Sequence, residues 1–249
     1  MSALVRAELI KISTTRGWWA YLVVLVLLTG IAVAGEVGSA ESAECSTADF
    51  QLGLVETIGV AALLAIILGI TIITTEFRHG TVTPTFLATP HREQVIAAKA
   101  IAAVVVAIGF ALLSLLVVFA VALPWFAIVG AEWSLGGGDA ATRVAEQLLA
   151  AALWAPMGIA IGALVQSQVA ALVGTLIWIF VGEALLLGFF GLLNLDGARG
   201  YLPFQALDSA DGTGGGELLS YGPAVGVSLA WIAVIGAAGT ERTRRRDIT

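Results

Sequence analysis

Charged side chains are the first thing this sequence lacks. Only 12% of its 249 residues are Asp, Glu, Lys or Arg, where a soluble domain carries about 25%. A chain that is 59% hydrophobic cannot cover a globular surface with polar groups, which excludes a water-soluble domain and makes lipid the bulk solvent. Cys45 is the single cysteine, so an intrachain disulfide framework is excluded. It reads as an unpaired loop cysteine, with a bridge to a second copy as the other reading. Lysine occurs only at positions 11 and 99, after Ile10 and Ala98. A phosphate-cradling G-x-x-x-x-G-K-[ST] loop is thereby excluded, and with it ATP hydrolysis by that route. Histidine occurs only at His79 and His91, with Pro84 and Pro90 between them. That spacing excludes the H-E-x-x-H zinc pattern, and no metal ligand set is expected. Neither a Gly-x-Ser-x-Gly nucleophile motif nor a pair of aspartates falls in the apolar runs.

What the chain has is length of apolar sequence. At about 20 residues per crossing, it holds about six spans, near residues 18–34, 57–74, 95–123, 144–165, 169–193 and 221–239. The fold class expected is an all-α integral membrane protein, one domain over residues 1–249. Ahead of the first span, Val5, Leu9 and Ile12 fall on one stripe with Arg6 and Lys11 off it. That pattern predicts a short amphipathic helix along the membrane surface, leading to Trp18, Trp19 and Tyr21 at the interface. Pro124-Trp125 is expected at the outer end of the third span, with Phe126–Val129 in the interface. Gln166-Ser167-Gln168 reads as a tight polar turn. Tyr201, Pro203 and Phe204 are apolar enough to dip back from the long acidic, glycine-rich segment 194–220.

The net charge of −6 hides a division of sign. Ten of the twelve basic residues lie in the N-terminal segment, the stretch between the second and third spans, and the arginine-rich tail. Only Arg143 and Arg199 fall on the other side, where the acidic loops after spans one, three and five are expected, the first holding Glu36, Glu41, Glu44 and Asp49 with no Lys or Arg. Six spans with both termini cytosolic satisfy the positive-inside rule. Four arginines between Arg242 and Arg246 read as the stop that fixes topology; a lipid-headgroup or nucleic-acid patch is the other reading.

Residues Ile72–Lys99 are the longest basic interruption on that cytosolic side. Thr83 before Pro84 reads as an N-cap with proline at the first helical position, and Thr89 before Pro90 as a stop. A short helix carrying Val82, Phe86 and Leu87 is the expected result. The run Glu76-Phe77-Arg78-His79-Gly80-Thr81, followed by Thr85, Leu87, Thr89-Pro90, Arg92, Val95 and Lys99, resembles the first cytosolic loop of the type-2 permease family of ATP-binding-cassette exporters. The resemblance extends to the segment Leu4–Trp19 and to the six-span layout. It implies a coupling helix seated in a groove of a nucleotide-binding subunit. Glu76 would brace that helix, and Arg78, Thr81, Thr83, Phe86, Leu87, Thr89 and Arg92 would serve the contact. It further implies two cassette ATPase subunits that hold ATP and Mg, no cofactor in this chain, and a second permease copy or a related chain. The setting would be the lipid bilayer of a prokaryotic cell membrane, with no nucleic acid. The motif identifies the family and not the cargo, whether drug, antibiotic, lipid or glycan.

Inside the spans, Glu183 is the one acidic group deep in an apolar run, about 21 Å past Val169 at about 1.5 Å per residue. A carboxylate there is costly and reads as a path-lining group, or as one bridging two helices. Pro156 with Gly158 and Gly162 predicts a kinked fourth span that another helix can approach closely. These four are the candidates for a substrate path. An intramembrane enzyme or a non-transporting scaffold would use the same six spans; an ion channel lacks a filter-like loop here. The topology has a direct test. A fluorescent protein fused after Thr249 should fluoresce and alkaline phosphatase fused there should be inactive, while the reverse would place the tail outside.

Overall fold

The computed structural model describes residues 1–15, 17–81, 92–135, 137–212 and 219–245. Among them the chain is helical, with no strand. Helix α1 (Ser2–Thr14) is followed by α2 (Gly17–Ser39), two short helices α3 (Ser42–Cys45) and α4 (Ala48–Glu56), and α5 (Val60–His79). Then come α6 (Arg92–Val129), α7 (Gly137–Val165) and α8 (Gln168–Ile177). A π-helical turn, Trp178–Gly182, joins α8 to α9 (Glu183–Leu192), and α10 (Pro203–Ser209) precedes α11 (Tyr221–Arg244). Six of the described helical stretches are long and apolar enough to cross a membrane: α2, α4–α5, α6, α7, α8–α9 and α11.

The second and fourth spans form the core, and the others pack around them. Glycine makes this possible. A Cβ on Gly69 of α5 would overlap the Ala155 carbonyl of α7, and one on Gly158 would overlap the Ile66 carbonyl of α5. Gly162 meets the Ile73 side chain in the same way. On the other flank of α7, a Cβ on Gly239 of α11 would come to 2.8 Å from the Ala163 Cβ and 3.0 Å from the Ala160 carbonyl. Lipid supplies no hydrophobic drive between spans, so close backbone approach through small residues is what holds them. A buried hydroxyl pair, Thr29 Oγ1 and Ser114 Oγ at 3.3 Å, adds a polar contact between α2 and α6.

Several boundaries differ from the sequence reading. The acidic segment after the first span is largely helical: α2 continues to Ser39, and Thr47 caps α4 by accepting the Phe50 N–H at 3.4 Å. The third long helix does not end at Pro124. Helix α6 runs through it to Val129, because an exposed proline costs one ladder bond, the one to Ala120, without obstructing a packed face. Phe126 is buried, and its ring tilts against that of Trp133 with centroids 5.9 Å apart. Cys45 is also no loose loop thiol. It is fully buried, and burial, assisted by the Glu44 charge, pushes its pKa up, so an intermolecular bridge would require α3 to open. The Gln166 turn matches expectation, with Gln166 in the left-handed region at φ 60°.

Gly69→Val should lower the thermal unfolding midpoint of the solubilised protein, at a cost of about 1–3 kcal/mol from overpacking. Gly35→Ala should leave the midpoint unchanged, since nothing lies within 4 Å of the added carbon. Equal midpoints for the two variants would refute the glycine-mediated core.

Candidate functional site

Four charged residues from three helices meet at the end of the bundle where α1 lies. Glu8 and Lys11 come from α1, Glu76 from the last turns of α5, and Lys99 from α6. Lys99 Nζ donates to Glu8 Oε2 at 2.7 Å and to Glu76 Oε1 at 2.7 Å. Lys11 Nζ donates to Glu8 Oε1 at 2.8 Å and to the same Glu76 oxygen at 2.9 Å. The Lys99 side chain is 2% exposed and that of Lys11 47%. Two cations match two anions, so the cluster is neutral. A neutral cluster is the condition under which a charge so deeply buried is tolerated.

Local sequence explains the meeting. Glu8 falls on the same α1 stripe as Val5, Leu9 and Ile12, and both Glu8 and Ile12 are buried against the neighbouring helices. Lys99 sits in a run of small residues, Ala97, Ala98, Ala100 and Ala102, which lets α1 come close to α6. Burial opposes the Lys11 charge, but the hydrogen bonds from Glu8 and Glu76 and their charges outweigh it, and its pKa is raised above the ordinary 10.5. The folded-state pKa is raised, so this contribution is whole below pH 10.5 and fades only as pH climbs past that value.

Beyond Glu76, α5 ends at His79 with Gly80 in the left-handed conformation that closes the helix. Arg78 Nη1 donates to Gln168 Oε1 at 3.3 Å, tying this end to the start of α8. Thr81 is exposed. Thr83, Phe86, Leu87 and Thr89 lie outside the described residues, and Arg92 opens α6. The last turns of α11 lie at this same end. Arg242 Nη1 of α11 donates to the Leu164 carbonyl at 2.7 Å, and Gln166 Nε2 reaches Thr243 Oγ1 at 3.4 Å.

The other candidates stand apart from the cluster. Glu183 is 1% exposed, and its two oxygens accept the backbone N–H groups of Phe204 at 2.8 Å and Gln205 at 3.1 Å. It thus caps α10 from a different element, satisfying N-terminal donors that the preceding Leu202 has no side-chain oxygen to meet. The π turn just before it adds a residue to the helical turn and so re-aims α9. Gly158 and Gly162 are buried against α5, with Pro156 half-buried in the same helix. At the end of the bundle away from the ion cluster, Arg143 donates to the Gly212 carbonyl and lies 3.3 Å from Glu146. Among the described residues, no group of His, Cys, Asp and Glu is arranged to hold a metal.

Glu8, Lys11 and Gln51 carry no site role in the sequence reading, and Lys99 enters it only as a basic residue and a position of the family motif. Glu8 was legible, as a carboxylate on an otherwise apolar stripe. Gln51 was not, because its segment read as a loop. Its buried amide donates to the Cys45 carbonyl at 3.0 Å and the Glu132 carbonyl at 2.8 Å, and accepts from the Ser134 and Leu135 N–H groups at 2.9 and 3.1 Å.

The family model described as ABC-2 family transporter protein matches residues 4–182. This chain belongs to the ABC-2 transporter family. The matched stretch runs from α1 through the π turn and contains all four members of the ion cluster. No curated protein matches the chain. As an ABC-2 family member it is a membrane permease component of an ATP-binding-cassette transporter, and the family implies a cassette ATPase as partner and membrane lipid as surroundings.

In this ABC-2 permease, Lys99→Met should cost about 3–5 kcal/mol, since it leaves two buried carboxylates to a single half-exposed lysine. Lys11→Gln should cost much less. Thermal unfolding in detergent reads both, and a Lys99→Met protein as stable as wild type would refute the role of the cluster.

Proposed function

We propose that this permease is the membrane half of an ATP-driven exporter. It would move a drug, antibiotic, lipid or glycan across a prokaryotic cell membrane by alternating access. The observation that carries the coupling part of this reading is the ion cluster. Glu76 lies just before residues 82–91 and Lys99 just after them, and the two are joined at 2.7 Å. Helix α1 is fastened to both through Glu8 and Lys11. A force delivered to the intervening segment would then move α1, α5 and α6 together rather than bending one helix. In this reading the segment is the coupling helix, and Thr81, Thr83, Phe86, Leu87 and Thr89 contact the ATPase. Arg78 and Arg92 set its flanks, and the arginine-rich tail lies in the cytosol.

ATP and Mg would bind in two copies of the partner ATPase, and the whole chain would act as one permease domain beside a second copy or a related chain. Pro156, Gly158 and Gly162 would permit the fourth span to flex against the second. Glu183 would act on the path through α10, which it caps, making that short helix an outer gate. Loss of the cap in Glu183→Ala should slow transport more than Glu183→Gln, which keeps an oxygen for one N–H.

The deciding experiment is co-purification with a cassette ATPase encoded beside this chain, with ATP turnover as readout. The expected result is a stable complex whose turnover falls about tenfold or more when Phe86 and Leu87 are both changed to Ala, losing two anchors of the kind that dominate interfaces. A permease that inserts normally yet neither binds nor stimulates any such ATPase would overturn the reading and favour a membrane enzyme or scaffold.

A further inference from the structure

A groove of about 680 Å³ opens beside the ion cluster, between the α1–α2 junction and α5. Its walls are mostly apolar: Ile12, Trp18, Leu68 and Ile72 line it along with Tyr21. It is held open by contacts of its own. Trp18 and Tyr21 both stack on Phe110 of α6, with centroids 5.5 and 6.1 Å away, and Tyr21 Oη donates to Thr71 Oγ1 at 3.0 Å. Along α5 it runs from Glu76 to Leu68, about 12 Å at about 1.5 Å per residue. One end is therefore polar and the other lies inside the apolar depth of the bundle.

The polar end has a donor to spare. An ammonium group carries three N–H bonds, and Lys11 gives two of its own to Glu8 and Glu76. Its side chain is 47% exposed. The carboxylates at the groove are each already matched by Lys99 and Lys11, so an incoming anion meets a neutral cluster with one N–H facing out, not a bare negative patch. The hydroxyls of Thr14 and Thr15 already donate to the Ile10 and Ile12 carbonyls, so Lys11 is the charged donor that a headgroup would find among the described residues.

We propose that this groove is a binding site for one phospholipid of the leaflet on the α1 side. Its phosphodiester rests on Lys11 Nζ, and one acyl chain lies along Trp18, Tyr21, Leu68 and Ile72. The combination fits an amphiphile: a pre-formed, mostly apolar slot whose polar end presents, among the described residues, the available cationic donor Lys11. The site adjoins the proposed ATPase contact at Thr81 and does not depend on the direction of transport.

The test is photolabelling of the intact permease in nanodiscs. The probe is phosphatidylglycerol carrying a diazirine in one acyl chain, and the control is diacylglycerol with the same chain and no phosphate. The phospholipid should label the peptides around Trp18–Tyr21 and Leu68–Ile72. Lys11→Gln should cut that labelling about tenfold, the scale of one lost charge-assisted hydrogen bond, to the level of diacylglycerol. Gly17→Leu, at a groove-lining glycine with open space around it, should abolish labelling by both probes. Labelling of the exposed face at Val169 and Leu185 serves as the internal control for folding and should not change. Three outcomes would overturn the proposal. They are groove labelling equal for the two lipids and insensitive to Lys11→Gln, labelling confined to the exposed faces, and crosslinking that finds a second permease copy in the groove.

Discussion

A buried ammonium group organises one end of this protein. Lys99 is nearly inaccessible to solvent, and no span of an apolar bundle would keep such a charge without anions brought to it. Glu8 and Glu76 meet that demand, and they come from elements far apart in sequence. The consequence is architectural. Helix α1 cannot drift along the membrane surface as an isolated amphipathic helix would, because its carboxylate is required inside. The end of α5 and the beginning of α6 are likewise fixed to each other, on either side of the segment through which an ABC-2 permease is expected to receive its drive.

The remainder of the bundle is held by a different means. Helix α7 takes α5 on one flank and α11 on the other through glycines whose Cβ positions are already filled by neighbouring atoms. Spans assembled this way are rigid where backbones touch and free elsewhere. The fifth span shows the free case. Its apolar side chains from Val169 to Leu192 are largely exposed, and it is held by polar contacts near two points, Gln168 to Arg78 at the start and Glu183 to α10 beyond the π turn.

Much of this was legible from the sequence, and the reasons for the failures are physical. Span number and type come from apolar length, which tertiary context rarely overrides in lipid. The Gln166 turn comes from three polar residues between two such runs. Pairings were harder. Nothing in the spacing of Glu8, Glu76 and Lys99 says that they meet, since they come from three segments far apart in sequence and only the three-helix contact joins them. The α3–α4 region was misread because acidic residues there suggested a loop, while the N-cap at Thr47 and the apolar face beyond it won. Pro124 does not end its helix, because a proline on an exposed face removes a hydrogen bond without removing the helix. Glu183 was noticed for its cost, but its role as a cap for α10 depends on the π turn that re-aims it, and that leaves no clear trace in composition.

Gln51 holds the opposite end of the molecule by other means. Its amide ties α4 to the strap Glu132–Leu135 and to Cys45 through four backbone groups, and neither the amide nor any of those groups changes charge. Ion pairs loosen when their members titrate or when salt shields them, whereas a saturated amide has no such dependence. The Gln51 contacts are therefore indifferent to the acidity and ionic strength of their surroundings, unlike the pairs that Arg143 makes with Glu56 and Glu146 at the same end.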